Sequence, residues 1–379
     1  MTGTRRLKIA FVVLDYNRVE GHSRYVAELA ERYAGAHDVH VFANSFDGVP
    51  PGIAAHRVPA LGAYTLLKIL TFALPASLMV RGGFDIVHAQ GFVLWRANII
   101  TAHIANARWM EARRGLAGGR LGWRERLFGA VVVPLERHTL RDPDATVIAV
   151  SSQLRRDLSS FYGRTDDVVV VPHGVDQHQF RPCVRDRFRG AVRAEHGIPD
   201  DRVVFLYVGD MRKGFASAVR ALAAVPAAHL VGVSRGASAE YVELARELGV
   251  AGRLTIVPGS DQIERYYGAA DALVLPTPYD AFGMVITEAM ACALPVITTP
   301  SAGAAELIVH GVHGLLVESP ADVGGFAQAM SQLADDPAGR ERMGAAAAAR
   351  MREHTWDRVA DRTLAVYQEH LARRQAGGR

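Results

Sequence analysis

Short apolar runs alternate with stretches of helical spacing along the whole chain. The runs that predict strands cover residues 9–14, 39–43, 86–88, 99–102, 147–150, 168–171, 203–208, 229–233, 254–257, 272–275, 295–298 and 314–317. Helical spacing separates them, as at residues 216–224 and 239–248. Continuous Val and Ile runs are typical of parallel strands that are buried on both faces. The pattern therefore predicts an α/β protein with two doubly wound, Rossmann-like domains.

The two halves of this pattern are separated by a Pro- and Gly-punctuated stretch at residues 172–185, where both periodicities lapse. A chain of 379 residues is also long enough for two domains. We place an N-terminal domain at residues 1–175 and a C-terminal domain at 176–355. Residues 356–379 have helical apolar spacing and predict a C-terminal helix that packs back toward the N-terminal domain.

The longest apolar region, residues 61–80, contains Lys68 and Pro75 and is too short to span a bilayer without interruption. It predicts a buried or cleft-lining helix. The apolar run at residues 9–14 predicts a first strand and not a signal peptide.

Composition narrows the function only slightly. Lys and Arg number 43 against 39 Asp and Glu, a net charge of +4 that suits anionic ligands or an anionic membrane surface. The excess is too small to argue for nucleic acid, and we expect no nucleic-acid partner. The two cysteines, Cys183 and Cys292, are far apart, so neither a disulfide framework nor a zinc site is expected. A reducing cytoplasm is the expected location, with association on the cytoplasmic face of a membrane left open.

Two carboxylates flank the start of a predicted helix. Asp280 lies in the loop after the strand at 272–275, and Glu288 follows about one helical turn after Gly283. Ligands of open α/β sheets bind at the carboxyl ends of strands, and glycine lets backbone amides approach a ligand closely. Carboxylates in this place can accept hydrogen bonds from sugar or ribose hydroxyls.

Two adjacent cations, Arg212 and Lys213, follow a second strand that ends near Gly209. Cations in the turn between a strand and a helix can neutralise a diphosphate.

These two segments, residues 279–290 and 207–214, resemble the E-x7-E and G-x-x-x-K-G elements of a known family. The family comprises retaining GT-B glycosyltransferases of the family-four, group 1 type, such as glycogen synthases and lipopolysaccharide-core glucosyltransferases. The resemblance implies a GT-B fold, in which two facing Rossmann-like domains enclose a cleft. It implies that the domain at residues 1–175 binds the acceptor and that the domain at 176–355 binds the nucleotide-sugar donor. The first acid is Asp280 where the family usually has Glu, and Asp210 stands where most relatives have Arg. Residues 301–317 resemble the family's following Gly-and-Glu segment and have mainly structural reasons to exist.

The resemblance also assigns roles to individual residues. Asp280 is expected on the donor sugar and Glu288 on the nucleoside ribose, while Arg212 and Lys213 hold the diphosphate. The remaining residues expected to bind the donor are Gly209, Phe282, Gly283, Met284 and Val285.

In the N-terminal half, His103 follows the strand at 99–102 and resembles the family position whose His contacts the donor sugar near the reacting carbon. We therefore include His103 with Arg212, Lys213 and Asp280 as a candidate catalytic residue. Gly21, within residues 20–23, stands where the family has a Gly-rich loop facing the diphosphate. A polar helix start capped by Ser23 explains the same residues equally well. His88 lies inside a strand and is expected to be structural.

Residues 108–128 form a basic segment interleaved with aromatic and aliphatic side chains. Its cations are Arg108, Arg113, Arg114, Arg120, Arg124 and Arg126, against Glu111 and Glu125. Such a segment suits an anionic lipid surface or an anionic acceptor, or is a solvated cationic face over core aromatics.

The sequence thus predicts retaining transfer of a hexose-type sugar from a nucleotide-sugar to a hydroxyl acceptor. A UDP-sugar is favoured, GDP-mannose comes second, and the acceptor is a saccharide, a lipid-linked compound or a small molecule. We expect neither a metal nor a cofactor, since the only D-x-D triplet, residues 142–144, has a central proline and indicates a turn. A GT-B nucleotide-sugar epimerase and a catalytically degenerate partner subunit remain alternatives. No predicted strand leads into G-x-G-x-x-G, which argues against a dehydrogenase.

Overall fold

The computed structural model describes residues 5–19, 21–62, 65–116 and 121–377. The chain forms two compact units, each with its own parallel sheet. The first unit runs to His173 and includes the chain from Trp356 onward, and the second unit is Gly174–Thr355.

The first unit is built on a seven-stranded parallel sheet with the order β5-β3-β1-β6-β7-β8-β9. Its strands, together with the separate short pair β2 and β4, are β1 (Lys8–Val12), β2 (Asp15–Tyr16), β3 (Asp38–Ala43), β4 (Ser45–Phe46), β5 (Ile53–Arg57), β6 (Ile86–Gln90), β7 (Ile99–Ala102), β8 (Thr146–Ala149) and β9 (Val168–Val170). The interior strands are buried on both faces, which explains their continuous apolar sequences.

Helices cover both faces of this sheet. They are α1 (Gly21–Ala34), α2 (Thr65–Met79), α3 (Asn106–Leu116), α4 (Trp123–Leu140), α5 (Ser152–Tyr162) and, at the end of the chain, α13 (Trp356–Gly377). α13 packs on α1, where the Tyr33 hydroxyl donates a hydrogen bond to the Ala360 carbonyl over 2.6 Å. Trp356, at the start of α13, is buried.

Of the two expectations for residues 61–80, a buried helix is wrong for one side of α2, whereas a cleft-lining helix stays a prediction. Ile69, Phe72 and Ala76 are buried, whereas Leu70 and Leu74 are 44% and 46% exposed. α2 is thus a surface helix that is apolar on both sides. None of the helices in the described ranges is long and apolar enough to cross a membrane.

The second unit has a six-stranded parallel sheet with the order β12-β11-β10-β13-β14-β15. Its strands are β10 (Val203–Val208), β11 (Ala228–Ser234), β12 (Leu254–Pro258), β13 (Ala272–Leu275), β14 (Val296–Thr298) and β15 (Gly314–Leu316). Its helices are α6 (Val184–Glu195), α7 (Phe215–Leu222), α8 (Ala239–Glu247), α9 (Glu264–Ala269), α10 (Met284–Ala291), α11 (Val323–Asp335) and α12 (Pro337–Met351).

An ion cluster around the buried Asp271 fixes α6 to this sheet. Asp271, just before β13, accepts hydrogen bonds from Arg185, Arg189 and Arg193 of α6 over 2.6–2.9 Å. It also accepts one from the Val204 amide over 2.8 Å. Burial alone raises the pKa of a carboxyl, but the Val204 hydrogen bond and the three guanidinium groups lower the pKa of Asp271 to about 2.

Candidate active site

In the second unit the chain reverses its direction across the sheet between β10 and β13. β11 and β12 lie on one side of β10, and β13 lies on the other. Ligands of doubly wound sheets bind at the carboxyl end of this switch point. The loop after β10 carries Arg212 and Lys213, and the loop after β13 carries Asp280. The fold therefore brings the two predicted motifs to the same edge of one sheet.

Glycines let these two loops approach each other. After β10 the chain turns through Gly209, at a φ of +131°, into a short 3-10 turn, Met211–Lys213, which ends at Gly214 with a φ of +100°. A Cβ atom on Gly214 would lie 1.9 Å from the Pro276 carbonyl oxygen. Any other residue here would force the β10 and β13 loops apart.

Lys213 and Asp280 form an ion pair across the two loops, with 2.9 Å between Lys213 Nζ and Asp280 Oδ2. Burial alone lowers the pKa of a lysine, but the Asp280 carboxylate outweighs it and raises the pKa of Lys213. The side chains are 29% and 23% exposed, so both remain within reach of a ligand. The pair fixes the ammonium group at the switch point in its charged form.

Arg212 is held by Asp210 in its own turn. Its Nε and Nη2 atoms donate to the Asp210 carboxylate over 2.6–3.0 Å, and its backbone amide donates to Asp210 Oδ1 over 3.0 Å. Burial alone raises the pKa of a carboxyl, but these bonds lower the pKa of Asp210. Asp210 thus provides a carboxylate that orients the exposed Arg212 guanidinium.

Gly283 caps the start of α10 with a φ of +89°, a conformation that favours glycine. The first-turn amides of a helix, here including those of Met284 and Val285, have no carbonyl partner within the helix and suit anions or hydroxyl oxygens. The loop before them is braced by residues 301–304. Asp280 donates its amide to the Ser301 carbonyl over 3.1 Å, and Phe282 accepts from the Ala304 amide over 2.6 Å.

Glu288 lies on α10 and is 7% exposed. The hydroxyl of Tyr267, on α9, donates to Glu288 Oε2 over 2.9 Å. Tyr267 was not among the residues predicted from the sequence. The sequence shows at this position only an aromatic residue next to Tyr266. Its hydrogen bond orients the Glu288 carboxylate.

In the first unit the corresponding switch point lies between β1 and β6, which are neighbours in the sheet. Gln90 ends β6 and His103 follows β7, and His103 Nε2 lies 2.8 Å from Gln90 Oε1. The His103 ring stacks on His173 and meets the edge of Tyr25, with centroid distances of 5.4 and 5.2 Å. Burial, and then the neighbouring histidines, hold the pKa of His103 well below its usual range. Its imidazole is therefore neutral at pH 7.

Comparisons with known proteins agree with this geometry. The family model "Glycosyltransferase Family 4" matches residues 19–179, and "Glycosyl transferases group 1" matches residues 188–350. A D-inositol 3-phosphate glycosyltransferase of Geodermatophilus obscurus is 30% identical over 92% of this chain and 84% of its own length. The chain belongs to the group 1 glycosyltransferases. A second relative of this transferase, the D-inositol 3-phosphate glycosyltransferase of Xylanimonas cellulosilytica, is 28% identical over 99% of this chain and all of its own.

Solved structures confirm the predicted GT-B fold of the transferase. Sucrose-phosphate synthase of Thermosynechococcus elongatus superposes with a TM-score of 0.79 at 23% identity, over 97% of this chain and 100% of its own. WaaG, a glycosyltransferase involved in lipopolysaccharide biosynthesis, also gives a TM-score of 0.79, at 20% identity over 94% and 98% of the two chains.

Gly21 is the first residue of α1 in the transferase, and Glu20 lies outside the described residues. The alternative that Ser23 caps this helix is wrong, because Ser23 is buried in the first turn and its hydroxyl donates to the Asp15 carbonyl over 2.6 Å. The ring of His22 lies 6.1 Å from that of His103, so this end of α1 adjoins His103.

His88 is structural, as predicted. It is fully buried, and its two ring nitrogens bond to the hydroxyls of Tyr367 and Thr101, each over 2.6 Å. Burial lowers the pKa of His88 to about 3.

The basic segment of the transferase spans α3 and the start of α4, and Arg120 lies outside the described residues. Arg108 pairs with Glu111 over 2.7 Å, and Arg113 pairs with Glu125 over 2.9 Å.

The D-x-D triplet of the transferase forms the predicted turn before β8, where Asp142 Oδ1 accepts from the Asp144 amide over 3.0 Å. Within the described ranges, no three His, Cys, Asp or Glu side chains are grouped to hold a metal ion.

Proposed function

We propose that this glycosyltransferase moves a hexose-type sugar from a nucleotide-sugar to a hydroxyl acceptor with retention of anomeric configuration, and that the donor is a UDP-sugar. The observation that carries the proposal is the Lys213–Asp280 ion pair at the β10–β13 switch point. It places a charged ammonium beside the carboxylate that the family resemblance assigns to the donor sugar.

The reaction needs stabilisation of negative charge. When the bond between the sugar and the diphosphate breaks, the diphosphate gains charge, and fixed cations stabilise it most because they need no reorganisation. We assign this role to Lys213 and Arg212, each held by a carboxylate within hydrogen-bond distance. In this proposal the two side chains do the work that a divalent ion does in metal-dependent transferases.

Asp280 serves two purposes in this proposal. One carboxylate oxygen, Oδ2, holds Lys213, and the other is left to accept hydrogen bonds from donor-sugar hydroxyls. The Asp280 side chain contacts Lys213 over 2.9 Å. Because it is one methylene shorter than a glutamate side chain, it is proposed to reach less far toward the sugar. The sugar specificity of this chain is therefore expected to depend on Asp280.

The nucleoside is assigned to Glu288 and the start of α10. The Tyr267 hydroxyl holds Glu288 Oε2 over 2.9 Å, and the Glu288 carboxylate is proposed to accept from a ribose hydroxyl. Gly209, Phe282 and Gly283 are proposed to line the diphosphate path. His103 and Gly21 of the first unit retain their predicted roles as proposals.

A binding screen followed by product analysis tests the proposal. Thermal shifts with UDP, GDP, ADP and their sugars should single out UDP and a UDP-sugar, since a ligand that binds only the folded state stabilises it by mass action. D-Inositol 3-phosphate is the first acceptor to try, because the two relatives carry it in their names. NMR of the product should show the donor's anomeric configuration, with turnover unchanged by EDTA. An inverted product or loss of turnover in EDTA contradicts the corresponding part of the proposal.

The epimerase alternative is separated by the same assay without acceptor. An epimerase produces an epimeric sugar from the donor alone, whereas a transferase leaves the donor intact or hydrolyses it slowly. Failure to bind any nucleoside diphosphate by calorimetry favours the degenerate partner subunit.

The basic segment of α3 and α4 is proposed to face an anionic partner.

A further inference from the structure

The outer side of α2 carries a row of half-exposed leucines, here called the leucine stripe. Its members are Leu67, Leu70, Leu74 and Leu78, with exposed fractions of 44–48%. Spacings of three and four residues place them on one side of the helix. The opposite side is apolar too and packs on the unit through residues such as Phe72. A helix that is apolar all round normally has an apolar environment on every side.

The apolar surface continues beyond the stripe. Leu61, Met79 and Trp95 are exposed by 69%, 41% and 52%. The Trp95 amide donates to the Ser77 hydroxyl over 3.4 Å, which places Trp95 beside the last turns of α2. Among the described residues of the first unit, every exposed large hydrophobic residue except Val19 falls between Leu61 and Leu127. Leu61 and Trp95 adjoin α2 through Thr71 and Ser77, and a contiguous exposed apolar patch of this kind marks a binding surface.

Positive charge borders the patch. Arg81 and Arg96 are exposed, one just after α2 and the other next to Trp95. The only acid between residues 61 and 100 is Asp85, which pairs with Arg5 over 2.5 Å. Lys68 of α2 is neutralised by Asp15 over 2.5 Å. Arg81 and Arg96 therefore place positive charge beside Met79 and Trp95, at one end of the patch.

A second pair of exposed apolar side chains lies on the same face of the sheet. α2 connects β5 to β6, and α3 and α4 connect β7 to β8. Both connections run in the same direction across the sheet. Because such crossovers are right-handed, the three helices lie on one face of the sheet. On α4, Trp123 and Leu127 are one turn apart and exposed by 69% and 51%. The Arg124 guanidinium lies 5.3 Å from the Trp123 ring centre.

We propose that the leucine stripe docks the first unit on an anionic lipid bilayer, with α2 lying in the headgroup region. At 15 residues the helix is about 22 Å long, which is shorter than the roughly 30 Å hydrocarbon core. It therefore lies along the surface, where leucines enter the acyl boundary. Trp95 suits the interface, and Arg81 and Arg96 suit anionic headgroups. A symmetric contact between two copies is disfavoured because it brings the same arginines together. The inference goes beyond the proposed function and does not depend on the donor.

Vesicle flotation of the full chain tests this proposal. We expect binding to vesicles that contain phosphatidylglycerol, weaker binding to pure phosphatidylcholine, and a partition coefficient at least about tenfold lower for Leu70→Gln/Leu74→Gln. The matched control is Val309→Gln/Val312→Gln, which changes two exposed residues of the second unit and should bind as wild type. Arg81→Gln/Arg96→Gln should bind more weakly at low salt.

Three results overturn the proposal. The wild-type chain fails to float with any vesicles, or the leucine variant floats as well as wild type. The third is that light scattering shows a dimer for the wild-type chain and a monomer for the leucine variant, while neither chain binds vesicles. Melting temperatures confirm that each variant is folded, and transfer to a soluble acceptor should be unchanged in the leucine variant. Loss of turnover in every chain, with vesicle binding intact, would count against the proposed function and leave this inference standing.

Discussion

Lys213 of the β10 loop and Asp280 of the β13 loop lie 2.9 Å apart, between Nζ and Oδ2. The sequence separates them by 67 positions, and the β10–β13 pairing brings them together. Through this contact the Asp280 carboxylate holds the Lys213 ammonium group in place. A diphosphate bound here would meet an ammonium that is already charged and oriented.

Replacing Asp280 with Asn should therefore affect the cation as well as the sugar. Asp280 raises the pKa of Lys213, so in Asp280→Asn the alkaline loss of kcat/KM should begin at lower pH than in wild type. Asp280→Glu should restore the wild-type alkaline limb. A pH profile of Asp280→Asn that keeps its alkaline limb in place would show that the carboxylate does not control Lys213.

Tyr267→Phe removes the hydroxyl that orients Glu288. A hydrogen bond to a charged group contributes about 1.5–3 kcal/mol, so we expect the Kd for the nucleotide to rise by roughly tenfold to a hundredfold. kcat at saturating donor should change less. Tyr266→Phe is the matched control, because the neighbouring ring lies near His196 at a centroid distance of 6.0 Å. Equal effects of the two substitutions in calorimetry would rule out a specific role for Tyr267.

Gly214→Ala should separate the β10 and β13 loops. The added Cβ would meet the Pro276 carbonyl, and alanine disfavours a φ of +100°. We expect a lower melting temperature and loss of nucleotide binding. The control is Gly252→Ala, where a Cβ meets nothing within 4 Å. Wild-type nucleotide affinity in Gly214→Ala would mean that the approach of the loops is not required.

Acid should destabilise the first unit through His88. Its folded pKa of about 3 lies below the unfolded value near 6.5, so the unfolded chain binds more protons in this window and stability falls as pH drops from about 6.5 toward 3. Between pH 7 and pH 5 this one group accounts for about 2 kcal/mol of lost stability. Denaturant unfolding of His88→Gln should show a shallower pH dependence than wild type. Parallel curves for the two proteins would contradict the assignment.

Much of the fold follows from apolar runs alone. The strands Ile99–Ala102, Val203–Val208 and Ala272–Leu275 match the predicted ranges, because each is buried on both faces. The edge strand β5 was missed because its residues, Ile53–Arg57, are partly exposed and include Ala, His and Arg. Edge strands lack the continuous apolar signal of interior ones.

The sequence allowed individual residues of the candidate site to be predicted, but not the contacts between them. Motif resemblance points to Lys213, Asp280 and Glu288 separately. The partners that orient them lie elsewhere in the chain, as Tyr267 does for Glu288 and Gln90 does for His103. Such contacts depend on strand order and loop conformation, and no local pattern encodes them. The exposed side of α2 was missed for a similar reason, since an apolar residue gives the same signal whether it faces the core or a membrane.

The central claim is that Lys213 stabilises the departing diphosphate, and the kcat/KM of Lys213→Ala tests it most directly. The account predicts a fall on the order of 10²–10³, the effect of losing one key charge stabiliser, with the melting temperature little changed. Arg235→Ala is the control, because that exposed arginine pairs with Asp261 of the same unit over 2.9 Å, and it should keep normal turnover. Near-normal kcat/KM in Lys213→Ala would contradict the account.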